Sequence, residues 1–205
     1  MGRKDAEKCP QITETQKKAK IQTLNRILVM NSDQIILESK RLKIRKFSTS
    51  DLLDLYAICS NAELMKYVGT GTPLTMDQVK EWLEVTHANY ATKGFGNYAL
   101  ISKENKELIG YCGLIYSKEI DNIELIYALR QKYWGVGLAS EASLAMIDFA
   151  FDTLKLKEVF ASIDPENIAS EKILLKTGFR FAFEQNDQWG LSTKYFKVTP
   201  GKSIK

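Results

Sequence analysis

The sequence predicts a mixed α/β (α+β) domain built on one mostly antiparallel sheet. Three central runs, Tyr98 to Ser102, Leu108 to Tyr116 and Ile123 to Arg130, are strand-like and separated by the polar turns 103–106 and 118–122, which reads as an antiparallel meander. The third run leads through Gly135-Val136-Gly137 into an amphipathic run, Leu138 to Leu154, and then into the strand Glu158 to Ile163. This is one strand–helix–strand crossover amid antiparallel neighbours. A chain of 205 residues, 44% of them hydrophobic, suits one core that buries roughly two-thirds of the unfolded surface.

Residues 1–33 are lysine-rich without aromatics, and Ile12, Ala19, Ile21, Leu24, Ile27 and Leu28 form one weak helical stripe. They are expected to be a helical or mobile N-terminal extension to a domain at 34–199, with 200–205 as a C-terminal tail. Ile35 to Leu37 and Leu42 to Phe47 alternate as a hairpin turned through Glu38-Ser39-Lys40. Ser50-Asp51 then caps a helix carrying Leu52, Leu53, Leu55, Tyr56 and Ile58. Thr75 with Gln78 forms a capping box for a second helix, with Val79, Trp82, Leu83 and Thr86 on one face. After the meander and the crossover come a helix from Ile168 to Lys176 stopped by Gly178, the strand Phe179 to Phe183, and a last strand, Ser192 to Val198.

Several functions are disfavoured by composition. The charge of +4 is mild and scattered, unlike the concentrated basic face of a nucleic-acid binder. No apolar run reaches the roughly 20 residues of a membrane span, and the start of the chain lacks a signal-peptide core. Cys9, Cys59 and Cys112 have neither metal-ligand spacing nor an even framework, so no metal site and a reducing, cytoplasmic setting are expected. His87, in the second helix, reads as a surface residue.

A strand running into glycines that open a helix directs free N–H groups and the positive end of a dipole at one point, a site for phosphate. A Walker loop is excluded because no Gly-Lys-Ser/Thr follows. A dinucleotide fold is weakened by Ser140 at the third glycine position and by the lack of an acidic residue about 20 positions on. A purely structural strand-to-helix turn also fits the two glycines.

The string from Tyr127 to Ala142, with its Tyr-Trp-Gly-x-Gly-x-Ala-x-Glu-Ala wording, resembles the acetyl-CoA-binding segment of the GNAT acetyltransferases. It is most similar to the branch with the Rim-type ribosomal-protein N-terminal acetyltransferases. Asn167-Ile168-Ala169-Ser170 and Leu175-Lys176-Thr177-Gly178-Phe179 resemble that family's downstream element. Leu37 to Arg45 resembles its first strand, and Met65 to Val68 with Trp82 its first helices, so the likeness runs from about Leu37 to Val198. It implies a twisted, mostly antiparallel GNAT-like sheet flanked by about four helices. It also implies acetyl-CoA as donor and a small-molecule amine or protein N-terminus as acceptor, in a monomer or homodimer. The amides of Trp134, Gly135, Val136, Gly137, Leu138 and Ala139 would then face the pyrophosphate. Lys132, where the family has glutamine or arginine, would add charge, and the pantetheine arm would run beside Ala128, Leu129 and Arg130 with Asn167 opposite.

Acetyl transfer to an amine needs a base, an oxyanion donor and a leaving thiolate. The resemblance implies Glu124 as the base, with Glu184 as the alternative; Glu124 also reads as a structural partner for an arginine. The N–H of Leu129 or a neighbour, where a bulge would splay the strand, would hold the oxyanion. Leu174 stands where many relatives place a tyrosine acid, which rules out that acid here. The resemblance implies Ser170, which matches the serine of the Rim-type branch, as the partner of the sulfur, with Tyr195 as a second candidate; Ser170 also reads as a helix-start hydroxyl bonding the backbone. Tyr67, Trp82, Phe95 and Tyr98 would line the acceptor entrance, although aromatics there also read as core. A catalytically silent acyl-CoA-binding module is the alternative.

Overall fold

A computed structural model describes residues 34–187 and 190–201, so the expectations for 1–33 and 202–205 lie outside the described residues. The chain forms one eight-stranded sheet ordered β1-β2-β3-β4-β5-β6-β8-β7. Its strands are β1 (Ile35–Glu38), β2 (Leu42–Arg45), β3 (Asn97–Ser102), β4 (Leu108–Ser117), β5 (Asn122–Leu129), β6 (Val159–Ile163), β7 (Arg180–Asn186) and β8 (Ser192–Val198). Every pairing is antiparallel except β5 with β6. No helix among the described residues is long and apolar enough to cross a membrane.

The helices are α1 (Leu52–Cys59), α2 (Ala62–Met65), α3 (Met76–Thr92), α4 (Leu138–Asp148) and α5 (Ile168–Lys176). Two local rules place their starts. At α3 the Thr75–Gln78 capping box forms in both directions. Ahead of α1, the capping residue is Ser48 rather than Ser50: it opens a 3₁₀ turn, Thr49–Asp51, whose Asp51 closes the box. The expected long helix to Leu154 instead stops at Asp148 and widens into a π-turn over Phe149–Thr153, with the Leu154 amide bonded to the Phe149 carbonyl at 3.0 Å.

Alternation along the strands sends two sets of side chains to two cores. Leu125 and Leu129 of β5 join Leu138, Ala142, Met146 and Ile147 of α4 and Leu174 of α5. Ala128 of β5, Ala99 and Tyr111 face the other way, against Leu55 and Ile58 of α1, Leu64 and Met65 of α2, and Val79 and Leu83 of α3. The layers are therefore α1–α3, sheet, then α4–α5.

One irregularity matters for function. The β5–β6 ladder holds a single registered pair, Glu124 with Phe160, so beyond it the two strands part. On its other side β5 closes tightly on β4, and Gly110 permits that approach. A Cβ at Gly110 would stand 2.2 Å from the Ala128 oxygen and 2.8 Å from the Leu129 Cα. The second half of β5 thus leans on β4 and leaves a wedge open toward β6.

Candidate active site

The wedge is bordered by backbone groups that the sheet leaves unpaired. The Arg130 amide donates to the Ile109 carbonyl at 2.7 Å, and the β4–β5 register runs unbroken from Gly110–Leu129 to Ser117–Asn122. By the alternation of an antiparallel ladder, Ala128 turns its N–H and C=O, and Arg130 its N–H, to β4 while Tyr127 and Leu129 turn theirs to the wedge; the Arg130 carbonyl accepts the Tyr133 amide at 2.9 Å. This corrects two sequence expectations. No bulge interrupts β5, because its register is continuous, and Tyr127 with Leu129, rather than Ala128 and Arg130, presents main chain to the opening. The Leu129 carbonyl accepts the Trp134 indole N–H at 2.6 Å.

Past β5 a 3₁₀ turn, Gln131–Tyr133, brings in the glycines. Gly135 has φ +75° and Gly137, the N-cap of α4, has φ +84°, a left-handed conformation that side chains resist. The first helical bond runs from the Glu141 amide to the Gly137 carbonyl at 3.1 Å, so the amides of Leu138, Ala139 and Ser140 are the orphan donors of the helix start. The Trp134 amide is not free, since it bonds the Gln131 carbonyl at 3.0 Å. Lys132 also departs from expectation: its ammonium is 2.6 Å from Glu107 and its charge is directed away from the glycines. The hydrogen bond to Glu107 holds its pKa above the usual lysine value. Arg130 likewise turns to Asp54 at 2.6 Å.

A different cation stands at the loop. Glu141, from the first turn of α4, accepts the Ser39 hydroxyl, the Arg41 amide and the Arg41 Nε, each at 2.7 Å. Arg41 Nη1 donates to the Val136 carbonyl at 2.9 Å, and a Cβ on Gly137 would stand 3.6 Å from Arg41 Nη2. The β1–β2 turn is thereby tied to the glycine loop.

At the closed end of the wedge, Glu124 is 5% exposed and accepts the Ser162 hydroxyl of β6 at 2.6 Å. Its partner is this serine, not an arginine. Glu124 shares its sheet face with Ile126 and Ala128, beneath α1–α3. Tyr195, opposite Ser162 on β8, belongs to the same corner. Burial, then Glu119 and Glu124, push its hydroxyl up to about 12, and its ring stacks on Phe183 at 4.7 Å. Glu184 is elsewhere: it is exposed, accepts the Ser192 hydroxyl at 2.6 Å, and pairs in register with Lys194, whose ammonium reaches Glu171 of α5. Glu184 and Glu124 are therefore on opposite faces of the sheet.

On the α5 side, the Asn167 carbonyl oxygen caps the helix by accepting the Ser170 amide at 3.1 Å, which leaves its amide nitrogen outside the cap. The Tyr127 hydroxyl lies 3.5 Å from the Ser170 carbonyl oxygen, a long contact, and burial pushes its pKa up to about 12. Leu174 is fully buried core. Tyr127 and Ser162 carried no sequence signal for these positions, because only the fold pairs them with residues 43 and 38 positions away.

Of the proposed acceptor-lining aromatics, Tyr98 is only 1% exposed and packs with Tyr90 and Phe149, so it is core and lines no entrance. Trp82 is wedged between Phe47 and Tyr111, with ring centroids 5.4 and 5.5 Å away. Phe95 packs against the α4-side core. Tyr67 stays half-buried at the end of α2, under the Lys66 ammonium. His87 is half-buried rather than superficial, its Nε2 2.9 Å from the Phe47 carbonyl oxygen. Cys112 is buried, which raises its thiol pKa well above the usual range and leaves it unsuited to nucleophilic chemistry. No cluster with metal-binding composition occurs among the described residues.

A family model described as an acetyltransferase (GNAT) domain matches residues 41–180. A Bacillus licheniformis protein named as an uncharacterized N-acetyltransferase, p20, is 33% identical over 147 residues, covering 70% of this chain and 82% of that protein. A solved acetyltransferase (GNAT family) from Bacillus anthracis matches with a TM-score of 0.68 and 24% identity, covering 80% of this chain and 97% of that one. The ribosomal L7/L12 alpha-N-protein acetyltransferase RimL, in complex with coenzyme A, matches with a TM-score of 0.70 and 14% identity, covering 81% and 98%. These two structural matches speak for the fold.

Proposed function

This chain belongs to the GNAT acetyltransferase family, and on that premise we propose that residues 34–199 move an acetyl group from acetyl-CoA to a primary amine. The acceptor is a protein N-terminus or a small-molecule amine, and transfer is direct, within a ternary complex. The observation that carries this reading is a buried carboxylate, Glu124, at the vertex of a wedge whose open end leads along β5 to the Gly135–Gly137 loop.

The loop amides and the α4 dipole suit the pyrophosphate, and the wedge-facing groups of Tyr127 and Leu129 suit the amides of the pantetheine arm, as an added strand would. The Asn167 amide nitrogen approaches that arm from α5. The acceptor amine enters on the α1–α3 face, where Tyr67 borders the way in. Glu124 takes its proton, directly or through water, and the neutral nitrogen attacks the acyl carbon. A wedge-facing N–H of β5 steadies the oxyanion. As the carbon–sulfur bond breaks, the electron pair goes to sulfur, and the Ser170 hydroxyl, beside Tyr127, donates a hydrogen bond to it. Glu184, on the other face, takes no part.

The test is a panel of amines that includes ribosomal-protein N-terminal peptides, read by mass of the acetylated product. Glu124→Gln is expected to lower kcat/KM by about 10²- to 10⁴-fold, while CoA still binds. Ser170→Ala is expected to cost less. Coenzyme A binding with no acetylation of any amine, or wild-type rates for Glu124→Gln, would overturn the reading.

A further inference from the structure

We propose that Arg41, on the β1–β2 turn, is a diphosphate-binding residue that makes the site selective for CoA thioesters over thioesters of the bare pantetheine arm. The inference rests on acetyl-CoA being the donor. It starts from a displacement of charge. Lys132 and Arg130, the cations next to the glycine loop in sequence, are engaged by Glu107 and Asp54, each at 2.6 Å. Arg41, 95 residues before Val136, reaches the loop instead.

Its guanidinium is held in a fixed orientation. Nε binds Glu141 and Nη1 binds the Val136 carbonyl, which leaves Nη2 with no hydrogen bond among the described residues, 3.6 Å from where a Gly137 side chain would begin. Gly137 supplies no atoms there, and the next donors are the orphan amides of α4. A planar cation with two of its edges already bound is pre-organised for an anion on the third, and hydrogen bonds from guanidinium to phosphate are among the stronger ones. Glu141 stabilises the charge without covering that edge. Its carboxylate also binds the Ser39 hydroxyl and the Arg41 amide, so the turn carrying Arg41 is itself anchored.

The experiment uses the full chain and needs no acceptor. Dissociation constants are measured by calorimetry for CoA and for pantetheine, which keeps the arm and lacks the diphosphate, on wild type, Arg41→Gln and Arg41→Lys. Arg41→Gln is expected to weaken CoA at least about tenfold, to leave pantetheine within about twofold, and to flatten the salt dependence of CoA binding. Arg41→Lys, which keeps charge but loses the fork, falls between. Equal loss for both ligands would mean that Arg41 only orders the loop, and an unchanged CoA constant would mean that it does not touch the diphosphate; either overturns the proposal. Should Arg41→Gln fold poorly, the same comparison is read from Arg41→Lys. Wild type that binds pantetheine but gains nothing from the diphosphate sinks the Arg41 proposal alone. Wild type that binds neither ligand sinks the acetyl-CoA reading as well.

Discussion

Lys132 sits three residues before Gly135, yet its ammonium belongs to an exposed pair with Glu107 on the β3–β4 side. Exposed pairs contribute little to stability, and this one keeps the lysine from the glycine loop. Lys132→Ala is therefore expected to change the CoA dissociation constant by less than about twofold, measured beside Arg41→Gln; a large loss would return the lysine to the site. Glu141 behaves differently. Burial raises its pKa, but the bonds from the Ser39 hydroxyl, the Arg41 amide and the Arg41 guanidinium outweigh that and hold it below the ordinary 4.5. A carboxyl more acidic in the folded than in the unfolded state stabilises the fold above the unfolded pKa and loses that contribution as pH falls through the folded value. Glu141→Gln should thus cost about 1–3 kcal/mol at pH 7, with the gap to wild type narrowing below about pH 4.5, as read from urea melts at both pH values. A gap constant with pH would show that the charge of Glu141 is immaterial.

At the scale of elements, the start of α5 separates two roles that one asparagine combines. Its oxygen caps the helix, and its nitrogen is the donor to the ligand in the proposed function. Asn167→Ala loses both, with about 1 kcal/mol of stability as the cap is removed. Asn167→Asp keeps an equivalent cap and adds a charge that the helix dipole favours, so its thermal midpoint should match wild type while its affinity for CoA falls. Retained affinity in Asn167→Asp would remove the amide from the arm's binding. Helix α5 and strand β8 were legible to the residue, because Asn167 and Gly178 bracket one element and the other is a short run rich in aromatic and β-branched residues, Ser192 to Val198. Four-residue α2 was not, since a single turn capped by Asn61 has too few positions to show a period. The π-turn after α4 was hidden because Phe149, Ala150 and Leu154 still read as helical spacing. The glycine loop was visible as a phosphate site, but the tether from Ser39 and Arg41 to Glu141 joins residues about 100 apart, and no local pattern encodes it.

For the whole molecule, the decisive property is that the sheet is nearly two sheets. Strands β1–β5 and β6–β8 meet in the ladder at one registered pair, Glu124 with Phe160, supported by the side-chain bonds of Ser162 to Glu124 and Asn122 to Glu158 and by the core under α4 and α5. In the proposed function a ligand lying in the wedge would complete the missing ladder, so its binding should register on particular amides rather than on the sheet at large. Tyr127 and Leu129 direct their N–H groups to the wedge, whereas Arg130 bonds Ile109 and Ala128 points the same way. In hydrogen exchange, the amides of Tyr127 and Leu129 should therefore exchange quickly in the free protein and slow by about a hundredfold at CoA concentrations a hundred times Kd. Ala128 and Arg130, already paired with β4, should be protected in both states. The alternation is the test, because general stiffening on binding would slow neighbouring residues together. A response of Ala128 and Arg130 equal to that of Tyr127 and Leu129 would rule out the arm as a strand added to β5. The donor would then have to be held from the glycine loop alone, and Glu124, about five residues of strand away, would lie too far from the thioester to act on the amine that attacks it.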